Sequence, residues 1–174
     1  GIAFCTKNPL PFIPLLHEIN EYRQFWHMTI TPYGPDIEPY VPKADSVIDG
    51  FKQISSRLNP QSMVWRYDPI ILTHNYTIDF HFESFYNMAK ALEGYTDTVV
   101  VSFLDIFDKV AQNFPEGFRP SVDVQHNIIK ELISIAHSYN MDLKTCGEGD
   151  AFKELGANSE GCLTLDCYER AWNV

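Results

Sequence analysis

The feature that most constrains this chain is an alternation repeated five times: a short apolar run rich in β-branched and aromatic residues, then apolar residues at helical spacing, at about 35 residues per unit. The runs fall at residues 2–5, 25–31, 63–68, 98–104 and 142–146. Most are closed by breakers such as Pro9, Pro32-Tyr33-Gly34-Pro35, Pro69 and Gly147-Glu148-Gly149. Val99-Val100-Val101 is apolar on both faces, as a central parallel strand requires. Between the runs, helices are predicted at about 14–22, 46–55, 77–93 and 122–139, with short ones after Asp105, near 152–155 and at 164–172. Such spacing predicts right-handed βαβ units around a parallel sheet.

A doubly wound sheet and a barrel both fit this order. A complete eight-unit barrel takes roughly 250 residues. The 174 residues therefore predict an α/β fold of one domain, residues 1–174, built as a parallel-stranded partial (β/α) TIM-like barrel of about five to six units. Gly1-Ile2-Ala3-Phe4-Cys5 reads as a core strand from its first residue, without an initiator methionine. The expectation is a processed or partial chain lacking one or more flanking strands, whose raw sheet edges invite self-association.

Charge narrows the partners. A net charge of -10, from 13 Lys and Arg against 23 Asp and Glu, argues against sequence-independent binding of nucleic acid. No apolar run is long enough for a membrane span and no signal-peptide pattern opens the chain, so the expected location is the cytoplasm and the expected partner a small-molecule ligand.

Parallel α/β folds bind ligands at the carboxyl ends of their strands. In chain order those ends offer Lys7 and Asn8, Thr31 and Tyr33, Arg66 and Asp68, Ser102 and Asp105, then Cys146 and Glu148. Val64-Trp65-Arg66-Tyr67-Asp68 is the sharpest of these, because Arg66 and Asp68 share one face of an otherwise apolar strand. The pair serves either a structural network or a ligand. Lys7 and Asn8 either shape a turn or, through the lysine, meet a carboxylate or phosphate; Asp105 and Lys109 are spaced for a solvated helical ion pair. Glu148 sits between two glycines that permit either a tight turn or close approach of a ligand.

The six histidines read as structural, and His81 with Glu83 near Asp79 matches no metal-ligand spacing. Cys5, Cys146, Cys162 and Cys167 are spaced irregularly, without a C-x2-C pair, and read as reduced thiols rather than a metal site. P-loop, Rossmann glycine, G-x-S-x-G and H-E-x-x-H signatures are absent from the sequence.

Several phrases together carry a resemblance: Phe4-Cys5-Thr6-Lys7-Asn8-Pro9, Thr29-Ile30-Thr31 with Tyr33-Gly34 and Ile37-Glu38-Pro39, Trp65-Arg66-Tyr67-Asp68-Pro69-Ile70, Ser102-Phe103-Leu104-Asp105, Thr145-Cys146-Gly147-Glu148 and Gly161-Cys162. In this order they resemble an uncharacterised bacterial family, domain of unknown function 1848, whose members are similar to radical S-adenosylmethionine enzymes of the spore photoproduct lyase type. The resemblance implies a central barrel fragment, with an earlier strand upstream and a cluster-binding cysteine motif downstream. It also implies S-adenosylmethionine and a [4Fe-4S] cluster as cofactors of the full-length protein, although this chain carries no C-x3-C-x2-C motif. The family commonly has tryptophan where Cys5 stands. On this reading Arg66 and Lys7 meet carboxylate or phosphate groups, and Asp68, Asp105 and Glu148 receive amines or hydroxyls. The alternatives are a non-catalytic small-anion-binding or scaffold module, and a metal-dependent hydrolase whose three carboxylates would have to converge.

Overall fold

The computed structural model describes residues 1–173 and is built on five strands: β1 (Ile2–Thr6), β2 (Gln24–Thr29), β3 (Met63–Ile70), β4 (Thr98–Phe103) and β5 (Asp142–Thr145). They form one sheet in the order β1-β2-β3-β4-β5, every neighbouring pair parallel. The strand order never reverses, as it would at the switch point of a doubly wound sheet. Nor does the sheet close on itself. It is an open α/β sheet, and the TIM-like barrel expected from the repeat is not formed by these five strands.

The helices are α1 (Ala44–Ser55), α2 (Ile78–Leu92), α3 (Asp108–Asn113), α4 (Val122–Ser138) and α5 (Leu165–Trp172), with a 3₁₀ helix at Leu10–Ile19. Alternation along each strand decides which side chain meets which layer. Trp26, Met28, Trp65, Tyr67, Val99, Val101 and Leu143 point to the back face, where they join Val47, Phe51 and Ile54 of α1, Phe85 and Leu92 of α2, and Ile128, Ile129 and Leu132 of α4 in one core. The aromatic rings there interlock: Trp65 stacks on Phe85 at 4.8 Å, and its indole N–H donates to the Ile30 carbonyl at 3.0 Å. Three helices on one face over sequentially ordered strands is a single direction of winding.

The front face is treated differently. Phe25, Val64 and Val100 of the strands pack there against Cys167 and Ala171 of α5 in a second, smaller core. The carbonyl of Ala171 accepts from Asn59 Nδ2 at 3.2 Å and Ser62 Oγ at 3.3 Å, and the Trp172 indole donates to the Gln24 carbonyl at 3.1 Å. Those partners all lie where β2 and β3 begin. So the end of α5 seals the amino-terminal half of the front face, and the carboxyl-terminal half is left for polar side chains.

Boundaries differ from the sequence reading where a cap or a turn decides them. The first helix is 3₁₀ and begins at Leu10, because Asn8 Oδ1 accepts from the Leu10 N–H at 3.2 Å and starts the turn before Pro14. α2 is capped by Thr77, whose hydroxyl accepts from the Phe80 N–H, in line with expectation. β3 runs on to Ile70, past the proline that was expected to stop it. It does so because Leu104 N–H still donates to the Ile70 carbonyl, so the ladder resumes after a register shift between Tyr67 and Ile70.

Candidate functional site at the strand ends

The front face fills from bottom to top in rows set by strand register. Cys5, His27 and Val64 lie side by side; Thr29, Arg66, Val100 and Lys144 form the next row; Asp68, Ser102 and Cys146 stand beyond it. Side chains change from apolar to ionisable going up this face.

Asp68 ties the centre together. It is ion-paired to Arg66 and accepts from the Ser102 hydroxyl across the β3–β4 boundary. Both members of the ion pair keep only 17% of their side-chain surface, so solvent screens them weakly. Burial opposes the charge on Arg66, yet contact with Cys146 and with Asp68 outweighs it and holds the guanidinium firmly protonated. The Cys146 thiol lies 3.5 Å from that of Cys162 at the approach to α5, and burial pushes Cys146 above its ordinary range. Beneath them Lys144 is 4% exposed and reaches the Cys167 thiol at 3.6 Å. Burial raises Cys167, but hydrogen bonds with Thr164 and the Lys144 charge outweigh burial and leave the thiol below its ordinary value.

Two further groups flank this centre. On the β1 side Lys7 is ion-paired to Glu38, whose other oxygen accepts from the Thr31 hydroxyl at 2.8 Å. On the β5 side Glu148 accepts from the Phe103 N–H at 2.9 Å, and Arg119 bridges it to Asp105, donating to Asp105 at 2.6 Å. Gly147 has φ +76°, a left-handed conformation that only glycine adopts freely, and this turn folds Glu148 back over β4. Next to these groups lies a mostly apolar cleft of about 510 Å³ lined by Ile37, Ile71, Leu104, Phe107, Val110 and Phe114, together with Asp36, Lys109 and Asn113. The strand ends thus offer a polar centre beside an apolar wall, the composition of a small-molecule site.

The family profile described as domain of unknown function DUF1848 matches residues 1–174. The chain belongs to this family. No curated protein matches it.

Within this DUF1848 chain the expected site residues separate into those brought together and those spent on structure. Arg66, Asp68 and Ser102 form one contact group; Lys7 and Thr31 share Glu38; Asp105 and Glu148 share Arg119. Asn8 shapes the turn into the 3₁₀ helix. Tyr33 donates to the Pro69 carbonyl at 2.6 Å and accepts from the Ile71 N–H at 2.8 Å, which makes it a clamp on the end of β3. The expected Asp105–Lys109 pair is replaced by Asp105–Arg119, since Asp105 precedes α3 and lies outside its turns. The three carboxylates of the hydrolase reading are held by two different arginines, and among the described residues no group of three His, Cys, Asp or Glu side chains is placed to hold a metal.

Sequence reasoning passed over Glu38, Arg119, Lys144 and His27 as site residues. Glu38 lies within the Ile37-Glu38-Pro39 phrase but was not read as a site residue, and the loop residue Arg119 has no local signal. His27 does have one, being an ionisable residue between Phe25-Trp26 and Met28 of an apolar strand, whereas Lys144 lies in a short strand with Asp142 and Thr145 and does not stand out.

Proposed function

We propose that this chain supplies the ligand-binding strand-end wall of a barrel-type α/β enzyme, of the radical S-adenosylmethionine type that the family resemblance implies. The observation that carries the reading is the Arg66–Asp68–Ser102 group. It spans two central strands at their carboxyl ends, on the face that α1, α2 and α4 do not cover. Unreversed strand order is what a segment of a barrel has, and it supports the TIM-like description of the sheet as an arc.

The side chains present do not fit an iron–sulfur cluster. Cys146 and Cys162 are in contact with each other and with Arg66, Cys167 faces Lys144, and Cys5 is exposed on β1, so no three thiols converge among the described residues. The reading therefore requires cluster ligands outside them. What these residues do is bind and orient: Arg66 offers its guanidinium to an anionic group, Asp68 and Glu38 receive amines or hydroxyls, and the mostly apolar cleft takes the uncharged part of the ligand.

The test is anaerobic reconstitution of the full-length protein with iron and sulfide, followed by reduction with S-adenosylmethionine present. Release of 5′-deoxyadenosine supports the reading, and a protein that binds no iron and leaves the cofactor intact overturns it. A second reading, a non-catalytic scaffold module, is favoured by the internal pairing of Lys7, Arg66 and Arg119 with carboxylates of this chain. It predicts no cofactor cleavage.

A further inference from the structure

His27 sits in the middle of β2 with 1% of its surface exposed, and neither ring nitrogen has a hydrogen-bond partner among the described residues. A dry imidazole with neither nitrogen partnered is an unfavourable arrangement that a hydrogen-bonding ligand relieves. Its neighbour Phe25 packs against it at 5.2 Å between ring centroids and offers no polar atom. Beside the ring lies a cavity of about 270 Å³ lined by Cys5, Thr6, Lys7, His27, Thr29 and Arg66. It opens next to β1, where Cys5 is exposed.

The charges around this cavity are not balanced. Its lining holds two cations, Lys7 and Arg66, and no carboxylate; beyond the lining Lys7 is paired with Glu38 and Arg66 with Asp68, whereas Lys144 on β5 has, among the described residues, the Cys167 thiol as its side-chain partner. An excess of positive charge in a poorly solvated wall favours an anion. Desolvation together with the Arg66 and Lys144 charges lowers the His27 pKa to about 4, so near neutral pH the ring is uncharged, with one N–H to donate and one lone pair.

We propose that this cavity is a subsite for a small oxyanion, the carboxylate or phosphate group of a larger ligand, held by a ring N–H of His27, the guanidinium of Arg66 and the Thr29 hydroxyl. The inference rests on the reading of the front face as a ligand wall, and it names the chemical class that the wall accepts. A bound anion also gives His27 the counter-charge it lacks, so binding draws a proton onto the ring. The charged and titratable groups around that ring are Cys5 and Lys7 from the β1 side and Arg66 from β3, with the Lys144 charge on β5 acting at longer range. Arg66 stays charged through the acidic range, so the proton taken up on binding is placed on His27.

The experiment is NMR of the full-length protein labelled with ¹⁵N-histidine, titrated separately with sodium phosphate and sodium acetate at tens of millimolar, the range in which weak subsites fill. The expected result is a saturable shift of the His27 ring nitrogens and a rise of its pKa on saturation, with affinity increasing about tenfold as the pH is lowered from 7 toward 5. A response to acetate alone assigns a carboxylate, and one to phosphate alone assigns a phosphate. His27→Gln should weaken binding about tenfold. If that variant fails to fold, the wild-type titration still decides. His27 signals unmoved by either probe overturn the proposal, as does a shift shared equally by the exposed His17 and His74. Loss of the subsite leaves cofactor cleavage free to be observed, and absence of cleavage leaves the subsite standing.

Discussion

His27 and His81 are both sealed from solvent, and hydrogen bonding is what separates them. His81 receives the Tyr67 hydroxyl on Nδ1 at 2.7 Å and meets the Ile71 carbonyl through Nε2 at 2.9 Å, a fully satisfied position on the back face. Removing that hydroxyl with Tyr67→Phe strands a buried acceptor, and chemical denaturation should show a loss of about 1–3 kcal/mol. Burial lowers the pKa of both rings, so the unfolded chain protonates before the folded one does. Stability from these groups is therefore fully present above their unfolded value of 6.5 and is lost as pH falls; for His27 the loss runs down to about 4. That displacement is worth roughly 3 kcal/mol. Unfolding in phosphate-free buffer between pH 7 and 4 should show this slope, and His27→Gln should flatten it. An unchanged slope in the variant would place the acid sensitivity elsewhere. Reading six histidines as structural was right for His81, whose partners Tyr67 and Ile71 lie close in sequence. For His27 the structure adds one fact the sequence could not, the absence of a partner for either ring nitrogen among the described residues, because a missing partner is a property of packing that spacing along the chain does not encode.

At the scale of elements, α5 decides which part of the front face is open. Ala171 is 5% exposed against Phe25, Val64 and Val100, and its carbonyl is held by Asn59 and Ser62. Asn59 also accepts from the Ser62 N–H at 2.8 Å, so Asn59→Ala removes a cap and an anchor together and should cost about 1–2 kcal/mol in a thermal or denaturant melt. Ala171→Glu buries a charge with no partner and should unseat the helix, seen as faster reaction of Cys167 and Cys162 with thiol reagents. If both cysteines stay as slow to react as in the wild type, α5 is not the seal described here. The existence of each strand and helix could be read from apolar periodicity, since tertiary packing reinforces what the pattern already favours. The docking of α5 could not. Its buried residues, Cys167 and Ala171, are small and carry no signal of which sheet face they meet.

For the molecule as a whole, a single winding direction is what supports reading the sheet as an arc. A five-strand parallel order was readable because the strand-helix repeat leaves few alternatives. Closure was not, because it depends on strand tilt and on pairing between β1 and β5. The two edges also differ. Beyond β5 the Asn158 segment pairs with the strand, with Thr145 N–H donating to Asn158 O and Asn158 N–H to Leu143 O, whereas among the described residues β1 is paired on the β2 side alone. Association is thus predicted through β1 rather than through both edges. Sedimentation of residues 1–174 should show concentration-dependent dimers that Ala3→Lys suppresses, and a strict monomer at high concentration would refute this. The most direct measurement of the central claim is hydrogen exchange of the full-length anaerobic protein with and without S-adenosylmethionine. The account predicts protection at the carboxyl ends of β3, β4 and β5, around Asp68, Ser102 and Cys146. Protection confined to α1 and α2 on the back face, or none anywhere, would contradict it.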